Sequence, residues 1–72
     1  MTTYRAEVYR CPEWKVWGCA KYDSDFNLIG DTDWHHLKSQ ARRVADEMLE
    51  SGEVSEIHIF SASGEHKQTI KQ

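Results

Sequence analysis

The sequence predicts an α+β domain: a single antiparallel β-sheet of four to five strands, covered on one face by one α-helix. Three observations predict it. Runs near both ends alternate apolar and polar residues, the period of two expected of half-buried strands. A central segment places apolar residues three and four apart, as on one stripe of a helix. The chain has 72 residues, and a chain of this size buries only about 60% of the surface its unfolded form exposes, enough for one core layer between a sheet and a helix. Residues 1–72 are therefore read as a single domain.

Tyr4 to Arg10 alternate, with Tyr4, Ala6 and Val8 on one side and Arg5, Glu7 and Tyr9 on the other. Cys11-Pro12-Glu13 interrupts the run, and Pro12 favours a turn. Trp14 to Tyr22 alternate again, so the two runs read as an antiparallel hairpin. Asp23-Ser24-Asp25 is a polar turn, after which Phe26 to Gly30 could form a short third strand. Leu37, Ala41, Val44, Ala45, Met48 and Leu49 then recur at helical spacing. Thr32, Asp33 and Ser39 each suit the N-cap, and Gly52 suits a left-handed C-terminal cap. Val54 to Ser61 read as a strand, Ser61-Ala62-Ser63-Gly64 as a hairpin turn, and Glu65 to Lys71 as a last, polar strand.

Strand parity sorts the side chains into two faces. Ala6, Val8, Trp14, Val16, Ala20, Ile57, Ile59 and Ile70 form an apolar set assigned beneath the helix, with Gly18 beside them. The opposite face carries Arg5, Glu7, Tyr9, Lys15, Trp17, Cys19, Lys21, His58, Phe60, Lys67 and Lys71. With one helix in the chain, nothing covers that face. The bland reading is cross-strand pairing of aromatics. The functional readings are a protein interface, where aromatics and Arg are enriched, or a surface that stacks bases.

The formal net charge of −3 makes nucleic acid the second choice. The acidic groups are unevenly placed: Asp23, Asp25, Asp31 and Asp33 precede the helix, and Asp46, Glu47, Glu50 and Glu53 lie near its end. The latter form an alternative edge for a basic partner. No apolar run approaches the roughly 20 residues of a membrane helix, and no basic segment followed by an apolar one marks a signal peptide. A cytoplasmic protein without a membrane role is expected.

Catalytic and metal constellations are sparse. Cys11 and Cys19 lie eight positions apart, too far for a zinc knuckle, and their register argues against a disulfide. His35 and His36 are adjacent, and strand parity puts His58 and His66 on opposite faces. No metal and no cofactor is expected. Ser61 and Ser63 near His66 and Glu65 are more economically a hairpin loop, and Cys19 near His58 is a further reactive pair to consider, which lacks a visible third group or pocket.

The Tyr-led first strand (Tyr4-Arg5-Ala6-Glu7-Val8), the Trp-containing second (Trp14-Lys15-Val16), Ala41 and Ala45 four apart, Ile57-His58-Ile59 and the Ser-Gly turn together resemble a family of short bacterial and phage proteins described only as a domain of unknown function. The segment from Asp23 to Trp34 is longer than that family's connection. The resemblance implies a strand-strand-helix-strand-strand fold and no catalytic residues.

The function expected is non-catalytic: a protein-interaction or inhibitor-type accessory protein of phage or bacterial origin, taking a protein partner or a second copy of itself. Its expected binding residues are Arg5, Tyr9, Lys15, Trp17, Lys21, His58, Phe60 and Lys67. A single-stranded nucleic-acid binder using that face is the second reading, and a small enzyme or redox protein using Cys19 and His58 the third.

Overall fold

The computed structural model describes residues 4–71. It contains β1 (Arg5–Arg10), β2 (Trp17–Tyr22), β3 (Asp33–His35), α1 (Lys38–Glu50), β4 (Glu56–Phe60) and β5 (His66–Lys71). The five strands form one sheet in the order β3-β2-β1-β4-β5. The α+β class holds, with one difference: β1 and β4 pair in parallel, so the sheet is mixed. The cause is the helix. Strands β1 to β3 meander, and α1 then returns the chain so that β4 enters alongside β1 in the same direction, as a crossover connection requires.

The core lies between the helix and one sheet face. Ala6, Val8, Cys19, Ile57 and Ile59 meet Ala41 and Ala45 of α1, and Val54 closes one end. Ala41 and Ala45 are fully buried, and their small side chains let the helix axis lie close to the strands. Trp17, Val44, Met48, Leu49 and Ile70 border this core.

Strand β2 departs from the expected parity. It starts at Trp17, because Cys11 to Val16 form the hairpin loop, closed by the Cys11 N–H donating to the Val16 carbonyl at 2.8 Å. Lys15 turns that loop with φ 53°. Trp14 is thus 75% exposed and not beneath the helix. The register pairs Val8 with Cys19 and Arg10 with Trp17. Directly paired residues share a face, so Trp17, Cys19 and Lys21 lie on the helix side, and Gly18, Ala20 and Tyr22 on the open side. A one-residue slip inverts every side chain of a strand.

The third strand is also displaced. Near Phe26 to Gly30 only an isolated bridge forms, Tyr22 to Leu28. The strand lies at Asp33–His35, where Trp34 pairs with Gly18. The Asp23 carboxylate accepts from the Asp25 and Asn27 N–H groups at 2.9 Å each and tightens the turn that leads there.

Because Asp33 is held in that strand, neither it nor Thr32 caps the helix, and Ser39 lies inside it. The cap position is Leu37, in extended conformation, with Gln40 Oε1 accepting its N–H at 3.3 Å. The other end forms a Schellman motif: the Gly52 N–H donates to Leu49 O and the Glu53 N–H to Met48 O, with Gly52 at φ +79°. Among the described residues no helix is long and apolar enough to cross a membrane.

Candidate functional site

The sheet face away from α1 is organised in three rows, each crossing the strands. The first holds Trp34, Gly18, Tyr9, Phe60 and His66. Trp34 pairs with Gly18, Gly18 with Tyr9, and Phe60 with His66. Phe60 follows Ile59, the partner of Val8, and so falls beside Tyr9. The second row is Ala20, Glu7, His58 and Thr69. The third is Tyr22, Arg5, Glu56 and Lys71.

The first row is aromatic because Gly18 leaves room for it. Trp34 lies over this glycine and meets Tyr9 edge-on, ring centroids 5.7 Å apart. Phe60 meets His66 edge-on at 5.6 Å. Trp34 is still 49% exposed. Such an arrangement offers flat apolar area with little rotamer freedom left to lose.

The third row is ionic and largely self-satisfied. Arg5 Nε stands 4.0 Å from Glu56 Oε1, while its guanidinium lies 4.4 Å from the centre of the Phe26 ring. Glu56 Oε1 also meets His58 Nε2 at 3.2 Å. That approach is close, and Nε2 is shut away from water without a well-formed hydrogen bond. His58 beside it holds the Glu56 carboxyl below the usual range against the opposing effect of burial, with Arg5 and Lys71 adding to the depression.

The second row carries a chain of polar contacts absent from the strand-parity reading. His58 Nδ1 lies 3.3 Å from Thr69 Oγ1, and His66 Nε2 lies 2.8 Å from the same oxygen. Strict alternation puts His58 and His66 on opposite faces. The structure brings their rings to 5.6 Å, because the β4–β5 register shifts between Ile59 and Phe60 and pairs Phe60 with His66 rather than Lys67. A bulge re-aims one side chain in this way.

Of the expected binding residues, Arg5, Tyr9, His58 and Phe60 share the open face. Trp17 and Lys21 do not. Trp17 borders the core under the Lys38 ammonium, 5.1 Å from its ring centre. Lys21 Nζ donates to Glu53 Oε1 at 2.7 Å and lies over the Tyr4 ring. Lys15 is in the hairpin loop, and Lys67 lies 3.5 Å from Glu65 at the bulge. On the acidic edge, Glu53 is engaged by Lys21 and Asp46 by Arg42 one turn earlier on the helix; Glu47, Glu50 and Glu53 are all exposed.

Cys19 and His58 are separated by the sheet. Cys19 is buried in the core, and burial, followed by the charges of Asp33 and Glu53, pushes its thiol up to about 11. It is a packing residue and not a nucleophile beside an imidazole. Both cysteines are free. Among the described residues no group of three or more His, Cys, Asp or Glu side chains is placed to hold a metal ion.

Trp34, Thr69 and Glu56 belong to the face although the sequence reading did not select them. Trp34 carried a usable signal, since a glycine inside a strand often marks the close approach of another group. No family model matches the chain, and no curated protein or solved structure matches it.

Proposed function

We propose that this protein acts by binding a protein partner through the open face of its sheet. The observation that carries this reading is the row Trp34, Tyr9, Phe60 and His66, running from one edge strand to the other on the face opposite α1, with His66 exposed and Trp34 49% exposed. Aromatic anchors beside polar groups that already have partners suit protein recognition. The charges below the row balance, Arg5 and Lys71 against Glu7 and Glu56, whereas affinity for a nucleic-acid backbone rests on an excess of Lys and Arg. An accessory or inhibitor-type role is consistent with such a binding face, and two free thiols go with a reducing compartment such as the cytoplasm.

The test compares the wild type with the double substitution Trp34→Ala and Phe60→Ala, by pull-down from the native host and light scattering. Loss of partner capture or of self-association, with the fold retained by circular dichroism, supports the reading. Unchanged capture and unchanged mass overturn it. A second reading, single-stranded nucleic acid, draws on the same aromatic row. It requires a salt-sensitive change in Trp fluorescence with short oligonucleotides, and no change at low salt removes it.

A further inference from the structure

We propose that His58 and His66 form a binding site for a divalent transition ion of the imidazole-preferring class, copper(II) ahead of zinc(II). The proposal rests on the contacts between His58 of the second row and His66 at the end of the aromatic row, and it does not require the protein-binding reading. His58 Nδ1 and His66 Nε2 face one point, the Thr69 hydroxyl, from 3.3 and 2.8 Å. Neighbouring ligands of one ion, at metal–imidazole bond lengths of about 2.0–2.1 Å, stand about 2.9–3.4 Å apart, so the ion sits beside the hydroxyl and not at it, and the rings turn from Thr69 toward it. His66 is exposed on an edge strand, and a turn of its ring supplies such a movement. The same exposure gives the ion its path in, and water completes the coordination.

Three features single out this pair. The bulge places His66 on the face of His58, a pairing that regular alternation forbids. The Glu56 carboxylate stands 3.2 Å from Nε2 of His58, and its charge favours the ring hydrogen on that side, with Nδ1 facing Thr69. A carboxylate behind a histidine also raises ligand basicity, as in carboxylate–histidine–metal arrangements. Glu7, the cross-strand neighbour of His58, adds a negative charge on the same face. Two imidazoles suit copper, nickel and zinc, and the order of divalent affinities puts copper first.

The experiment is titration calorimetry of the full chain with copper(II) chloride and, separately, zinc(II) chloride near neutral pH. It is paired with NMR of the histidine ring signals during the zinc titration. Saturable binding of one ion is expected, tighter for copper, with the His58 and His66 rings shifting first. His66→Ala lowers the affinity at least tenfold. Glu56→Gln lowers it about tenfold, as loss of an outer carboxylate does elsewhere. The double variant His35→Ala with His36→Ala binds as the wild type does. Because His66 is exposed, its replacement leaves the fold readable by circular dichroism. Absence of saturable binding, equal affinity in His66→Ala, or loss of binding in the His35/His36 variant overturns the proposal.

Discussion

The indole of Trp34 lies against the bare α-carbon of Gly18: a Cβ there would stand 2.7 Å from the ring and 2.9 Å from the Thr32 methyl. This contact links two of the places where the structure departs from the sequence reading, the parity of β2 and the position of β3. It requires Gly18 to face away from the helix, which sets the parity of β2. It also holds Trp34 on the sheet edge, which makes Asp33–His35 a strand and delays the helix to Lys38. The aromatic row therefore depends on a missing side chain.

Gly18→Ala should consequently disturb the open face more than the core. The added methyl pushes Trp34 outward and off Tyr9. Overpacking of this kind costs about 1–3 kcal/mol, toward the low end here because an exposed ring can move. Urea denaturation measures the loss, and near-ultraviolet circular dichroism reports the Tyr9–Trp34 contact. An unaltered near-ultraviolet spectrum would show that the glycine does not seat the indole.

Trp17→Ala tests the face assignment of β2 from the other side. Trp17 borders the core beneath Lys38, so its truncation should lower stability by about 2–3 kcal/mol, somewhat less than for a fully buried aromatic. It should leave partner binding intact in the fraction that remains folded. If stability is unchanged while binding fails, Trp17 serves the open surface instead.

The elements most legible in the sequence were those with one unambiguous period. Ala6 and Val8, Ile57 and Ile59, and the stripe from Ala41 to Leu49 all point to the core as their spacing predicts. Strand β2 was ambiguous because both of its parities look plausible: one collects Gly18 and Ala20, the other Trp17 and Cys19. Small residues suit a helix lying close above a sheet, but here they suit an indole lying close below it. The His58–Thr69–His66 arrangement was illegible for a different reason. A bulge leaves no mark on hydrophobic alternation in a strand whose large apolar content is Ile70 alone.

At the helix C-terminus the expectation is purely conformational. Gly52 has φ +79°, and nothing lies within 4 Å of where its Cβ would be. Gly52→Ala should thus cost about 1–2 kcal/mol through backbone strain alone. Thermal denaturation can measure it, and a comparison with Gly52→Asn is informative, because Asn tolerates the left-handed region better. Equal losses for Ala and Asn would rule out the conformational cause.

The two thiols should react very differently. Cys11 is partly exposed and Cys19 is buried, with its thiol raised to about 11 from an ordinary value of 9.0. A disulfide reagent at neutral pH should modify one thiol per chain quickly and the second only as fast as the protein opens. Because the folded value is the higher one, the native state holds its proton where the unfolded chain has lost it. Stability therefore falls as pH rises between those two values. Cys19→Ala should flatten that alkaline decline, and two fast-reacting thiols in the native protein would contradict the core placement.

Acid should act through Glu56. Its carboxyl is depressed below the ordinary value of 4.5, first by His58 and then by Arg5 and Lys71. In the unfolded chain these partners are dispersed, so on acidification the unfolded state takes up the proton first. The stabilisation is complete above the unfolded value and disappears as pH falls through the folded one. Asp23 acts in the same direction, held down first by the Asn27 N–H, so the informative comparison is made with Asp23 left in place. Urea denaturation of the wild type and Glu56→Gln across the carboxylate range should show a shallower loss of stability in the variant. Parallel curves would mean that the Glu56–His58 contact carries no free energy in solution. The difference between the curves measures how firmly Glu56 holds the His58 ring, the support on which the proposed ion site depends.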